Sequence, residues 1–232
     1  MKTKQLQPWF MLLLLAGACA QPKEEALTVN PVELTASKDG LALRFARSNI
    51  SSVDPALNAQ CVMFNDHVNK FVTELKDSCF GELPAPAGGD SLVDAGEGEP
   101  SYEFSVSDTV FRATSHYISL RVTIYAYTGG AHGNTYIYAF NYDLRGRKFL
   151  EKEQLLDLGR KQEIEKLLQA RFDNKDGAFT SLPTLDDPAV YNFTAEALHV
   201  TYPHYALGPY SSGIAEVSVP LTELKKAFKL QL

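Results

Sequence analysis

From Tyr117 to Tyr127 apolar and polar residues alternate without a break: Ile118, Leu120, Val122, Ile124 and Ala126 on one side, Tyr117, Ser119, Arg121, Thr123 and Tyr125 on the other. From Asn134 to Asp143 the alternation resumes, with Tyr136, Tyr138, Phe140 and Tyr142 sharing a face opposite Thr135, Ile137, Ala139 and Asn141. A period of two is the signature of a strand, so the pattern predicts two strands. Gly129, Gly130 and Gly133 lie between them and provide the backbone freedom of a turn.

The same reading extends along the chain. Val32–Ser37 and Leu41–Arg47 predict a hairpin about Asp39-Gly40, a pair that favours tight β-turns. Asp54-Pro55 is an N-cap and first-turn pair, and Phe64, Val68, Phe71, Val72, Leu75 and Cys79 follow at helical spacing, predicting a helix from Pro55 to Ser78. Gly81–Pro100, rich in glycine, proline and acids, reads as a long surface loop. Tyr102–Thr114 is a further strand, and Leu144–Arg147 a turn. Beyond it, Phe149–Asp157 reads as a short helical stretch and Arg160–Phe172 as a clearer helix. Asp173–Pro188 is polar and turn-rich; Tyr191–Thr194, Leu198–Tyr202 and Ile214–Val219 are strands, and Pro220–Phe228 a closing helix. Strand runs interrupted by helices, without regular βαβ alternation, predict an α+β fold: a mostly antiparallel sheet with helices packed on one face, in two small subdomains. The division expected is residues 28–115 and 116–232.

The N-terminus sets a compartment. Lys2 and Lys4 precede the apolar run Trp9–Leu15, and Ala16-Gly17-Ala18 precedes Cys19. A run this short, ending in small residues, has the anatomy of a secretory signal. With the cysteine it resembles the lipobox of bacterial lipoproteins. That resemblance implies cleavage after residue 18, diacylglyceryl attachment to Cys19 and a tether over residues 19–27. Ala20, in place of an aspartate, points to the outer membrane. The 232 residues carry a formal charge of −6. An acidic body does not suit nucleic acid, which calls for basic stripes. Cys61 and Cys79 are 18 positions apart, about 27 Å along a continuous helix at roughly 1.5 Å per residue, too far for a disulfide. Either the helix starts after Cys61 and the chain folds back to allow a disulfide, or the thiols are unpaired, which is the reading favoured because a buried free cysteine packs as a small hydrophobe.

Recognisable catalytic patterns are missing. GxSxG, SxxK, HExxH, P-loop and dinucleotide fingerprints do not occur, and no cofactor is expected. His132, at the tip of Gly-Gly-Ala-His-Gly-Asn, is a candidate ligand contact or base, though no second histidine stands at metal spacing. Tyrosines recur from Tyr125 to Tyr142 and again at Tyr202, Tyr205 and Tyr210. Each offers an apolar face and a polar tip, suited to stacking on sugars or to protein interfaces, and equally to covering a sheet beneath a helix. The candidate contact set is Tyr127, His132, Asn134, Tyr136, Tyr205 and Tyr210.

The stretch Tyr127–Asp157, YTGGAHGNTYIYAFNYDLRGRKFLEKEQLLD, resembles the extracytoplasmic domain of RsiV-type proteins, and Tyr202–Leu224, YPHYALGPYSSGIAEVSVPLTEL, is similar to that domain's closing segment. Upstream, Ile50–Phe71 and the strands before Tyr127 resemble the smaller domain that commonly precedes it. The resemblance implies a binding module of the cell envelope, with a lysozyme-like protein or cell-wall glycan as partner. Related domains accompany a cell-wall polysaccharide deacetylase without being its catalytic part. The anti-sigma factor of this family has a cytoplasmic segment; here only Met1–Pro8 precedes the apolar run, so signalling is not carried over. An enzyme acting on cell-wall polysaccharide, with His132 as base, and a purely structural lipoprotein are the alternatives.

Overall fold

A computed structural model describes residues 24–38, 40–81 and 101–232; Cys19, Asp39 and most of the predicted 81–100 loop lie outside the described residues. The fold is α+β and mostly antiparallel. β1 (Thr28–Lys38) and β2 (Leu41–Ser51) form the expected hairpin, each longer than the alternation alone suggested. α1 (Pro55–Phe80) follows, its Asp54 side chain accepting from the Leu57 amide at 2.8 Å. β3 (Tyr102–Ala113), β4 (Tyr117–Tyr127), β5 (Asn134–Asp143) and the two-residue β6 (Lys148–Phe149) complete a six-stranded sheet in sequence order. Its one parallel pair is β2 with β3, because α1 carries the chain back across the sheet. The 115/116 boundary falls in the β3–β4 connection, inside this continuous sheet.

The second half builds a smaller sheet. α2 (Lys152–Leu155) and α3 (Lys161–Arg171) precede β7 (Val190–Phe193), β8 (Ala197–Tyr202) and β9 (Ala215–Pro220), which pair antiparallel, and α4 (Leu221–Leu224) follows. Two predicted helices are corrected. Phe149–Asp157 begins as strand, with Phe149 opposite Tyr142, and only Lys152–Leu155 is helical. Pro220–Phe228 is broken at Lys225, whose φ of 49° takes it out of helical geometry, so a 3₁₀ turn replaces the second half.

Each sheet carries helices on one face. Phe64, Val68 and Val72 of α1 pack on Ile118, Leu120, Val122 and Ile124, with Tyr142 and Phe149 closing on Phe64. Cys61 and Cys79 stand apart on this helix, both free; burial holds both thiols above the usual cysteine range. On the smaller sheet Ile164, Leu168 and Leu224 cover Phe193, Leu198, Val200, Tyr202 and Val217. Burial keeps the Tyr191 and Tyr202 phenols protonated far above their ordinary range.

The two remaining faces meet, and this seam is polar. Ser119 is wholly buried at its centre. Its hydroxyl donates to Asn141 Oδ1 at 2.7 Å and accepts from Asn192 Nδ2 at 3.0 Å and the Phe193 amide at 3.1 Å. Asn141 Nδ2 donates to the Tyr191 carbonyl at 2.7 Å. A hydroxyl has one proton and two lone pairs, so Ser119 is fully used. Further along, Arg121 donates to Thr201, pairs with Glu216 and lies 5.4 Å over the Phe111 ring. Phe111 stands where the β3–β4 register shifts between Val110 and Arg112, a bulge that turns its ring into the seam. His199 stacks beside it at 4.9 Å with a buried, unpartnered Nε2.

The segment expected as a tether is bound from Glu24 onward. Leu27 N donates to Ala113 O, Ser115 N to Glu25 O, Ala26 bridges Thr114, and Glu24 pairs with Arg112 and Thr114.

Two outcomes follow from the seam. Asn141→Ala orphans the Ser119 hydroxyl proton and the Tyr191 carbonyl and should lower stability by about 1–3 kcal/mol in urea unfolding. Burial among Arg121, Phe111 and Thr201 lowers the His199 pKa, with Glu216 opposing. The folded state thus resists the proton: stability is complete above the ordinary value of about 6.5 and declines as pH falls below it. His199→Phe should flatten that decline in melts compared between pH 7 and pH 5.

Candidate functional site

At the end of the larger sheet away from Glu24, the β4–β5 turn meets the loop between β8 and β9. The turn is possible because Gly129 and Gly130 adopt φ of 93° and 105°, conformations that strain any residue with a Cβ. The Tyr127 hydroxyl donates to Gly130 O at 3.0 Å, bracing the turn from within. Gly133 is buried flat on Tyr125: a Cβ there would sit 2.5–2.6 Å from the phenol ring and its oxygen.

The opposing loop is equally constrained. Tyr210 opens a 3₁₀ turn closed by Gly213 at φ 80°. Leu207 O accepts from the amides of Thr180 and Ser181, tying the loop to the irregular segment before β7. Tyr205 holds a left-handed φ of 68° although it is not glycine, and its side is 66% exposed. The Ala206 amide donates to Pro203 O at 3.1 Å, and this turn holds Tyr205 in place with its ring turned outward.

Between the two loops three rings form a column. Tyr210 lies between His132, 4.4 Å away at 23°, and His204, 4.3 Å away at 16°. Tyr210 donates to Gly133 O at 3.2 Å. His132 Nδ1 is 2.9 Å from Gly133 O and His204 Nδ1 is 3.0 Å from Tyr210 O; carbonyls only accept, so both Nδ1 atoms carry protons. Tyr205 leans on the column at 5.6 Å from Tyr210. Both faces of Tyr210 are therefore occupied, and the rings left to meet a ligand are Tyr205 and the outer sides of the two imidazoles. Residues 127–134 and 202–213 contain no Asp, Glu, Lys or Arg, so the two loops bring rings and no permanent charge, while Glu103 stands opposite Tyr127 on β3.

Of the six residues expected at the site, His132, Tyr205 and Tyr210 come together here. Tyr127 braces the turn, and Asn134 is exposed at the start of β5. Tyr136 does not join them: it faces α1 on the other side of the sheet, in the row continued by Tyr138 and Tyr142. The tyrosine ladder is core, with Phe71 edge-on to Tyr138 at 4.5 Å. His204, outside the expected contact set, joins the column; far from His132 in sequence, it reaches Tyr210 only through the fold.

A concavity of about 940 Å³ lies elsewhere, at the start of α3, lined by Arg160, Lys161, Glu163, Lys166 and Glu223. Its charges neutralise neighbours, as in Arg160–Glu163 and Arg171–Glu223, and none converge. Among the described residues no three His, Cys, Asp or Glu side chains are grouped as metal ligands, and no helix is long and apolar enough to cross a membrane.

Residues 42–135 match the family described as Deacetylase PdaC, and residues 148–222 match the Protein of unknown function (DUF3298) family. The chain pairs a PdaC-like segment with a DUF3298-like segment. This is the pairing of domains found in RsiV-like proteins. The first match runs from β2 through α1, β3 and β4 into the first residues of β5; the second runs from β6 through the smaller sheet and ends in α4. A crystal structure of a DUF3298 family member from Bacteroides fragilis NCTC 9343 superposes with a TM-score of 0.62 at 15% identity, over 89% of this chain and 95% of that one. A DUF3298 family protein from Pseudomonas aeruginosa PAO1 gives 0.57 at 20% identity, over 88% and 94%. At these identities the likeness is one of fold. No curated protein matches the chain.

Gly133→Ala should drive the Tyr125 ring off its seat, loosening the column and costing about 1–3 kcal/mol as an overpacking change. Thermal unfolding gives the cost, and the ring-current-shifted NMR resonances of His132 and His204 report the column.

Proposed function

We propose that the chain is an exported envelope lipoprotein, anchored through Cys19 in the outer membrane, whose body binds cell-wall glycan at the His132–Tyr210–His204 column. The observation that carries this reading is the exposed Tyr205 beside a ring stack built from two loops that contain no permanent charge. A sugar ring presents C–H faces that pack on aromatic faces and hydroxyls that hydrogen-bond at the rim, and neither needs a charged partner. The backbone carbonyls in the column are already taken, so specificity rests on the imidazole Nε2 atoms and the Tyr205 hydroxyl. The family resemblance supports the same setting.

A lysozyme-like protein is the second ligand reading, favoured by the chain's formal charge of −6, which would draw in a cationic partner. The enzymatic reading draws on the deacetylase name of the first matching family. His132 as base has ring neighbours rather than a carboxylate to orient it, so the geometry favours binding.

Calorimetric titration of the mature body with soluble peptidoglycan fragments, and separately with a c-type lysozyme, tests this. Saturable glycan binding insensitive to salt is the expected result. Tyr205→Ala should weaken it about tenfold with the melting curve unchanged, roughly the worth of one stacked ring. Salt-sensitive lysozyme binding without glycan binding would replace the glycan by the protein as ligand. Turnover of the glycan lost in His132→Ala would replace binding by catalysis.

A further inference from the structure

The six-stranded sheet ends in two unlike edges. β1 is the outer strand on one side, and its sequence carries Pro31 and the exposed Glu33. Proline and charge on an edge strand are the usual protection against pairing with another chain. On the other side β6 covers only Tyr142 and Asp143 of β5. Among the described residues nothing pairs with the outer side of β5 from Asn134 to Phe140. Leu150 N donates to Asn141 O, so the backbone groups of Asn141 point outward. By the period of two, those of Thr135, Ile137 and Ala139 point outward as well.

This edge has none of the protection of β1. Asn134–Asn141 reads NTYIYAFN, without proline or charge, and rich in aromatic and β-branched residues. Left bare, such a strand invites intermolecular pairing. A cleft of about 360 Å³ opens at its lower end, lined by Tyr138, Ala139 and Asn141 from β5 and by Glu151, Glu153 and Asp187 opposite. Glu151 and Glu153 are exposed. Asp187 accepts from the Thr184 amide and hydroxyl. The cation in the cleft wall, Lys152, is turned inward: it donates to Leu185 O and lies over the Tyr191 ring. The cleft mouth is acidic.

We propose that the open edge of β5 is a strand-addition site for an extended, basic polypeptide segment of a partner protein. The segment pairs with the outward amides and carbonyls of Thr135, Ile137 and Ala139, and its cationic side chains reach Glu151 and Glu153. Backbone pairing supplies the affinity, and the carboxylates choose a basic segment over a neutral one. The site is separate from the aromatic column and stands or falls independently of it.

The test uses the mature chain and an acetylated, amidated octapeptide alternating valine with lysine or arginine. Fluorescence anisotropy should show saturable binding that weakens with salt, and hydrogen exchange should show new protection at Thr135, Ile137 and Ala139. The same peptide N-methylated at alternate residues should bind at least tenfold more weakly. Ala139→Pro removes one outward N–H while leaving the β4 ladder intact, and should abolish protection. Glu151→Lys with Glu153→Lys should cost roughly tenfold and remove the salt dependence, as two rim charges do. Equal binding of the N-methylated peptide, or no binding of either, overturns the proposal. A concentration-dependent dimer lost in Ala139→Pro would also overturn it, assigning the edge to a second copy of this chain.

Discussion

The two sheets, each with its own apolar core, are joined through a buried hydroxyl that has no water to fall back on. Ser119 sits where two sheets meet face to face, and it satisfies groups from β5 and β7 at once. Apolar burial is indifferent to direction. A hydrogen-bonded seam is not indifferent, because each displaced donor or acceptor loses its partner in a medium that offers no water. The network therefore fixes how the smaller sheet lies on the larger. That placement brings the β8–β9 loop to the β4–β5 turn, and so decides whether Tyr210 reaches the space between His132 and His204.

Local pattern made much of the fold legible. The alternation of Tyr117–Tyr127 and Asn134–Asp143, the Asp54 cap and the spacing of Phe64, Val68 and Val72 are short-range properties, and the elements follow them closely. What local pattern missed depended on distant residues. Phe149 became strand because Tyr142 was there to pair with it. The parallel β2–β3 pair depends on α1 as a crossover, which only the path of the whole chain reveals. Ser119, Arg121 and Asn141 look like a solvent-facing row until a second sheet is laid over them.

The site was legible to the same degree. Glycines and aromatics marked both loops, and their meeting was foreseeable from the wealth of rings in each. Tyr136 is near the turn in sequence, but its even position puts it in the row of Tyr138, Phe140 and Tyr142. That row lies under α1. The stacking order, with Tyr210 inside and Tyr205 outside, comes from backbone geometry at Tyr205 and Gly213 that composition does not encode.

The clasp of Glu24–Leu27 on Thr114 and Ser115 gives the molecule a top and a bottom. β4 spans the interval between that clasp and the β4–β5 turn, and its 11 residues measure about 35 Å. The ring column is therefore carried at the opposite end of the sheet from Glu24, like a lamp on a post: a tether on the N-terminal side would hold the body by its foot and leave the column farthest from it.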